Sequence, residues 1–172
     1  MRPIPENRLD KRIIRVWRIS ALLNVAIWSV VFLGGVGTLW LVGTIQENSG
    51  LAAARAALGI AFIVLFAIAV LSTVLLVGIM PKLRHLRWRY QVNPEEIDIL
   101  KGIIWRERII VPLVRVQNVD TKQGPLMRAN GLASFTVATA AGEHEIPGLA
   151  QEEADTLRDR VAYLARLAQE DV

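Results

Sequence analysis

Two long apolar runs without charge dominate the first half of the chain. They extend over residues 19–45 and 56–80, and a polar patch at 46–55 separates them. A helix of about 20 apolar residues crosses a hydrocarbon core about 30 Å thick. Neither run contains Asp, Glu, Lys, Arg or His. The pattern therefore predicts a hairpin of two transmembrane helices, with all later residues tethered to the membrane.

From residue 88 onward the chain shows short stretches of β-like pattern. Residues 88–92 are rich in β-formers and end at the turn signal Asn93-Pro94. Ile97 and Ile99 then alternate with Glu96 and Asp98, which is typical of a half-buried strand. The later stretches, divided by Gly and Pro turn signals, are a strand candidate at 103–113, an ambiguous stretch at 114–120, a strand candidate at 131–141 and a short return strand from 144.

A helix is predicted to close the chain, over about residues 150–168 after a turn at Pro147-Gly148. Its apolar residues fall at three- and four-residue steps on one stripe, formed by Ala154, Leu157, Val161, Leu164 and Ala168. Strands followed by one amphipathic helix favour the α+β class. We expect a curved antiparallel sheet whose open end this helix plugs.

The patterns divide the chain into a basic N-terminal segment at 1–18, the hairpin at 19–80 and a folded body at 81–172. Six basic residues against two acidic ones precede the first run, and four basic residues follow the second run before the first acid, Glu95. Lys and Arg stay preferentially on the cytoplasmic side of a membrane. We therefore expect a multi-pass membrane protein with two spans and with both termini in the cytoplasm.

The first run is too long for an ordinary signal-peptide core, and no small-residue cleavage pattern directly follows it, so we expect a retained anchor. The high pI does not indicate nucleic-acid binding, because residues 94–172 carry thirteen acidic against nine basic residues. Cysteine is absent, which excludes disulfides and thiolate catalysis.

Several short segments between residues 88 and 164 follow one another in a specific order and spacing. They are Trp88-Arg89-Tyr90, Gly102-Ile103-Ile104, Ile110-Val111-Pro112-Leu113, Arg115-Val116-Gln117-Asn118-Val119, Gln123-Gly124-Pro125-Leu126 with Arg128, Gly131-Leu132-Ala133, Thr139-Ala140-Ala141-Gly142 and Ile146-Pro147-Gly148-Leu149.

In this order the segments resemble the bacterial pleckstrin-homology-like (PH-like) domain of small membrane proteins, in the version fused to a transmembrane hairpin. The resemblance implies a split seven-stranded β-barrel capped by a C-terminal helix. Val116, where the family more often has Ile, and Asn130, where an apolar or aromatic residue is common, are departures from its pattern. The resemblance also implies a location in the bacterial plasma membrane, hetero-complexes with a longer relative and, by analogy, a role in envelope stress or resistance to toxic peptides.

Two groups of polar residues are candidate contact sites. Arg115, Gln117 and Arg128 can form directed hydrogen bonds, and they serve either to tie a loop to the sheet, with Asp120 as an ion-pair partner, or to contact a partner protein. The structural role is favoured. The second group is a basic collar after the hairpin, formed by Lys82, Arg84, Arg87 and Arg89, which acts either as a topology signal or as a contact to anionic lipid headgroups.

The chain offers little chemistry for catalysis. His144 stands between Glu143 and Glu145, and in an extended segment the two carboxylates point away from the histidine, so we expect no metal site. Ser134 and Thr136 have no base nearby in the sequence. We expect no catalytic residues and no cofactor. Glu95 and Glu96 in the first hairpin turn disfavour phosphoinositide recognition, because like charges repel.

The leading hypothesis is a non-catalytic, membrane-anchored adaptor that docks another membrane protein or a second copy of itself. Two alternatives stay open. One is a module that senses anionic lipid of the inner leaflet. The other is a small subunit of a membrane transport complex, for which the apolar runs offer only Asn24, Ser29, Thr38, Ser72 and Thr73 as polar residues.

Overall fold

A computed structural model describes residues 3–45 and 52–170 of the chain. These residues form two compact units, one at Trp17–Pro81 and the other at Lys82–Val172 together with Met1–Val16. The predicted polar connection at 46–55 lies mostly outside the described residues.

The unit at Trp17–Pro81 consists of long apolar helices. Helix α1 spans Ile13–Ile45, helix α2 spans Ala52–Thr73, and a π-helical stretch, Val74–Ile79, leads without a break into helix α3 at Met80–Arg87. The helical segments Ile13–Val42 and Ala56–Arg87 are long and apolar enough to cross a membrane, and their most apolar windows are not buried within the protein. Large exposed apolar side chains distinguish them from the core helices of a water-soluble fold.

The helices extend beyond the apolar runs at the ends where basic residues flank these runs. Helix α1 begins at Ile13, ahead of the predicted residue 19, and helical structure after the second run continues to Arg87. Lys and Arg are good helix formers, so the loss of hydrophobicity does not end a helix. Within the hairpin, a Cβ added at Gly37 would lie 3.8 Å from a ring carbon of Phe62, and one at Gly59 would lie 3.7 Å from Nε1 of Trp40.

The folded unit contains two three-stranded antiparallel sheets. The first has the order β1-β2-β3, with β1 at Arg89–Val92, β2 at Glu96–Lys101 and β3 at Glu107–Pro112. The predicted strand at 103–113 is wrong in its first part, because residues 102–106 form a loop instead. Gly102 has φ +106°, which allows the chain to turn directly after β2. Strand β3 therefore begins only at Glu107, which pairs with Lys101.

The second sheet has the order β4-β5-β6. A 3-10 turn at Leu113–Arg115 leads into β4 at Val116–Lys122, a short helix α4 spans Pro125–Ala129, and β5 and β6 span Leu132–Thr139 and Gly142–Ala150. The α4 helix was not predicted from the Gln123-Gly124-Pro125 loop signal. The resemblance implies seven strands, whereas the described residues form six, with one isolated bridge between Asn7 and Tyr90.

Strand β6 passes through the predicted turn at Pro147-Gly148, which is therefore wrong as a turn. Phe135 pairs with Ile146 and Ala133 pairs with Leu149, so two residues of β6 oppose Ser134 alone. This is a β-bulge, a position where a strand accepts Pro and where Gly provides the positive φ, here +66°. The strand consequently continues to Ala150 rather than ending near residue 146.

Helix α5, Gln151–Glu170, closes the barrel as predicted. Ala154, Val161 and Ala165 are buried on its inner stripe, which packs against β4, β5, β6 and the 3-10 turn. Both faces of β5 are buried, including Ser134 and Thr136. The predicted α+β fold, a two-helix hairpin and a PH-like split barrel capped by a C-terminal helix, is confirmed.

The N-terminal segment packs on the folded unit. The backbone N–H groups of Asn7 and Tyr90 each donate to the other residue's carbonyl at 3.1 Å, and that of Asp10 donates to the Gly148 carbonyl at 2.9 Å. Leu9, Ile13 and Val16 are buried beside these contacts. A segment that the sequence marks only as basic thus contributes apolar side chains to the core.

Candidate functional site

An open groove lies where the two sheets separate. It has a volume of about 760 Å³ and combines the end of β3, the 3-10 turn, the β5–β6 turn and the end of α5. Apolar and polar side chains share its lining, which includes Ile110, Val114, Arg115, Gln117, His144 and Gln169. At its margin the Gln169 side-chain amide donates to the Val116 carbonyl at 3.1 Å and ties α5 to the start of β4.

Arg115 and Gln117 line this groove with exposed side chains. Neither side chain makes a hydrogen bond or an ion pair with any residue that the structure describes. Asp120, the expected ion-pair partner, instead accepts a hydrogen bond from the Asn118 side chain at 2.7 Å. The favoured structural role for the two residues, tying a loop to the sheet through Asp120, is therefore absent from this structure. Their polar groups are available to a ligand in the groove.

Arg128 does not join them. It lies exposed on α4 and is not among the residues that line the groove. The local hydrogen bonds there belong to Asn130, whose side chain donates to the Leu126 carbonyl at 2.8 Å and whose own carbonyl accepts from Arg12 Nη1 at 3.2 Å. Of the three predicted partner contacts, the structure brings together Arg115 and Gln117 only. Whether any of the three contacts a partner stays a prediction.

The basic collar begins on α3. Lys82, Arg84 and Arg87 are exposed there, and Arg89 follows at the start of β1. The Arg84 guanidinium lies 5.6 Å from the ring centre of Trp88, a cation–π contact. Arg87 and Arg89 line a shallow hollow of about 270 Å³, together with Ile4, Leu86, Leu100, Lys101 and Arg106. Four predicted headgroup contacts thus lie on neighbouring elements, and their binding to lipid stays a prediction.

A second exposed feature lies beside the collar and was not predicted. The loop at 102–106 shares a hollow of about 360 Å³ with Arg84 and Trp88. Its tip carries Ile104 and Trp105, which are 80% and 88% exposed. The sequence pattern hid this feature because Ile103 to Leu113 reads as one continuous strand.

The two histidines take different places. His85 is buried, and its Nε2 lies 2.9 Å from the Leu9 carbonyl oxygen. His144 lies on β6 and lines the groove. Its neighbour Glu143 forms an ion pair with Lys122, with the charged atoms 3.2 Å apart. No three His, Asp or Glu side chains in the described ranges lie close enough together to hold a metal ion. The expectation that the protein needs no metal or cofactor stays a prediction.

Two partly buried polar contacts support the scaffold around these surfaces. The Tyr90 hydroxyl donates to Glu153 Oε1 at 2.7 Å, and burial, reinforced by this hydrogen bond, raises the pKa of Tyr90 above its ordinary value. On β2, the buried Asp98 carboxylate accepts from Arg108 Nε at 3.0 Å and from Arg108 Nη2 at 2.5 Å. That contact raises the pKa of Arg108 further above its ordinary value.

Within the hairpin, a hollow of about 240 Å³ separates parts of α1 and α2. Its lining is mainly apolar, with Asn24, Ser29 and Ser72 as the polar members. The Thr38 and Thr73 hydroxyls donate to carbonyls of their own helices, Gly35 at 2.9 Å and Ala69 at 2.8 Å. These two hydroxyls are therefore already satisfied locally.

Comparisons with known proteins agree with this architecture. The family model of the bacterial PH domain matches residues 20–165, which include both the hairpin and most of the folded unit. The chain is also 38% identical over 172 residues to the UPF0699 transmembrane protein YdbS of Bacillus subtilis (strain 168), and the alignment covers 100% of both chains. No solved structure matches the chain. The resemblance seen in the sequence is confirmed, and the protein is a membrane protein with two apolar spans.

Proposed function

We propose, from the premise that this chain belongs to the bacterial PH domain family, that it is a non-catalytic adaptor anchored in the membrane by its hairpin. Its groove would dock either another membrane protein or a second copy of the same chain. The proposal places the folded unit and both termini in the cytoplasm at the bacterial plasma membrane, because basic residues precede the first apolar run and follow the second.

The observation that carries the proposal is the groove with Arg115 and Gln117. A polar surface whose side chains have no internal partner loses little when it exchanges water for hydrogen bonds to another protein. Val114 and Ile110 provide apolar area beside the two polar residues. Arg is enriched at protein interfaces because its planar guanidinium offers five donors.

The two alternatives, a transport subunit and a lipid-sensing module, have less support than the adaptor. A transport subunit needs polar or ionisable groups along a path, whereas Thr38 and Thr73 bond within their own helices. A lipid-sensing module would use the collar, and the groove would then have no assigned role. Two neighbouring acidic residues, Glu95 in the β1–β2 turn and Glu96 at the start of β2, also oppose a phosphoinositide in that place.

The proposal is tested in native membranes with the full chain. A photo-crosslinking amino acid at Gln117 should give a discrete cross-linked product, and the double substitution Arg115→Ala with Gln117→Ala should reduce the amount of partner recovered in mild detergent several-fold. Arg166→Ala, an exposed cation on α5, serves as the matched control and should leave recovery unchanged.

Arg128→Ala tells whether the contact surface extends to α4. Recovery of a lone monomer in every mild detergent, together with no cross-link from position 117, would remove the adaptor proposal. Loss of recovery with Arg166→Ala to the same extent would show that the capture does not depend on the groove.

A further inference from the structure

The loop between β2 and β3 exposes the two least covered large apolar side chains in the described part of the chain. Trp105 is 88% exposed and Ile104 is 80% exposed, although both belong to a folded unit with a well-packed core. A water-exposed tryptophan next to a water-exposed isoleucine on a loop tip is unfavourable in solution. Such a tip indicates a surface that is covered in the protein's working state.

The loop is held in a defined shape. Gly102 has φ +106°, and a Cβ at this position would collide with the backbone carbonyl of Trp105. Directly behind the loop, Lys101 pairs with Glu107 across the two strands, and their charged groups lie 3.3 Å apart. The strands therefore close the base of the loop, and the turn at Gly102 presents Ile104 and Trp105 outward.

Cations surround this apolar tip. Arg106 ends the loop and lines one hollow with Arg87 and Arg89, while Arg84 lines the neighbouring hollow with the loop itself. In the described ranges no carboxylate lies within ion-pair distance of Arg87, Arg89 or Arg106. Glu107, which lines the hollow with the loop, forms an ion pair with Lys101.

The chain itself keeps this surface near lipid. Helix α3 starts at Met80, the last residue of the second apolar run, and Arg87 is its final residue. Eight helical residues rise about 12 Å, so Arg87 cannot lie farther than that from the end of the run along the helix. Headgroups are consequently within reach of the collar and of the loop that shares its hollows.

We propose that the loop at 102–106 inserts Ile104 and Trp105 into the interface of a bilayer that contains anionic phospholipid. Arg87, Arg89 and Arg106 contact the headgroup phosphates around the insertion point. Tryptophan prefers the boundary between headgroups and acyl chains, and basic residues next to it gain from negative surface charge. The loop thereby adds an apolar anchor to the predicted headgroup contact at the collar. This lipid contact is separate from the protein docking proposed for the groove.

The test uses the full chain reconstituted in vesicles. The natural sequence has no cysteine, so Ile104→Cys can carry one environment-sensitive fluorophore, and Tyr163→Cys on α5 provides a matched exposed control. Each protein is placed in vesicles of phosphatidylcholine alone or mixed with phosphatidylglycerol. Fluorescence is quenched either by iodide in the water or by spin labels on the lipid chains.

The label at position 104 should be blue-shifted, quenched by the lipid-borne spin labels and several-fold less accessible to iodide than the label at 163. Phosphatidylglycerol should strengthen the lipid quenching, and Arg87→Gln with Arg106→Gln should remove that increase. Iodide access at 104 equal to that at 163 in both vesicles would overturn the insertion. Protection in native membranes but not in pure lipid would also overturn it, and would assign the loop to a protein partner. Unchanged quenching in the double variant would overturn the headgroup contact.

Discussion

At the residue scale, Gly148 controls the packing of the N-terminal segment on the barrel. Its φ is +66°, and a Cβ built there would lie 2.5 Å from Cγ1 of Ile13. Its carbonyl also accepts the backbone N–H of Asp10 at 2.9 Å. A side chain at residue 148 therefore adds backbone strain and displaces a fully buried isoleucine at the same time.

We expect Gly148→Ala to lower the free energy of unfolding of the folded unit by about 2 kcal/mol or more. Thermal unfolding of the full chain in mild detergent, followed by tryptophan fluorescence, measures the loss. Gly124→Ala is the matched control, since Gly124 has φ −78° and open space around it. Equal unfolding temperatures for the two variants would contradict the assigned role of Gly148.

Tyr90 gives a prediction on pH at the same scale. Burial and the hydrogen bond to Glu153 raise its pKa in the folded protein above the ordinary value of 10.0. A raised folded-state pKa contributes stability that is complete below the unfolded-state pKa and is lost as the pH rises above it. The free energy of unfolding should therefore fall above about pH 10 more steeply than in Tyr90→Phe. Denaturation at a series of alkaline pH values measures this dependence for both proteins. If the free energy of unfolding fell equally with pH in the two, the prediction would be contradicted.

Single residues also show where sequence reasoning stops. The pattern around Ile97 and Ile99 predicts the strand correctly, but it places Asp98 on a polar face. The structure buries Asp98 against Arg108, which comes from the next strand. A partner on another strand depends on register, and no local periodicity contains that information.

At the scale of elements, the pair between Asp98 and Arg108 links β2 to β3. Removing one member of a largely buried pair leaves an unpaired charge, which costs more than the pair itself contributes. We expect Arg108→Leu to lower the free energy of unfolding by more than an exposed ion pair contributes, because it leaves the buried Asp98 carboxylate without this partner. Chemical denaturation of the full chain in detergent measures it.

The same two strands provide the control for that prediction. Lys101 and Glu107 form an exposed pair between β2 and β3, so Lys101→Leu should change the free energy of unfolding by about 1 kcal/mol or less. Adding Asp98→Leu to Arg108→Leu should restore part of the loss, because it removes the stranded carboxylate. A loss at Lys101 as large as that at Arg108 would contradict a buried, paired Asp98.

Most elements follow from the sequence, and the two errors in strand placement share a cause. The hairpin, β1, β2, β5 and α5 have strong periodic or compositional patterns, and the structure contains each of them. The errors, a loop at 102–106 and a strand through Pro147-Gly148, occur where a glycine with positive φ changes the path of an otherwise β-like run. A glycine in a strand-like stretch is compatible with a turn or a bulge, and only the pairing with neighbouring strands decides between them.

At the scale of the whole molecule, the N-terminal segment has two roles, one in membrane orientation and one in the core of the folded unit. Its basic residues predict the orientation of the first helix, whereas Leu9 and Ile13 are buried in the folded unit. Only part of the candidate site could be predicted from the sequence. Arg115, Gln117 and the collar were predicted from residue type. The groove, however, depends on the separation of the two sheets, and the exposed loop depends on the turn at Gly102, so local pattern shows neither.

The account as a whole depends on a chain that crosses the membrane twice and leaves the folded unit in the cytoplasm. Because cysteine is absent, Asn48→Cys in the predicted outer connection and Thr156→Cys on α5 each introduce a single reactive site. A membrane-impermeant maleimide applied to intact cells should label position 48 and should label position 156 only after the cells are permeabilised. Labelling of position 156 from outside intact cells would contradict the orientation and with it the proposed adaptor.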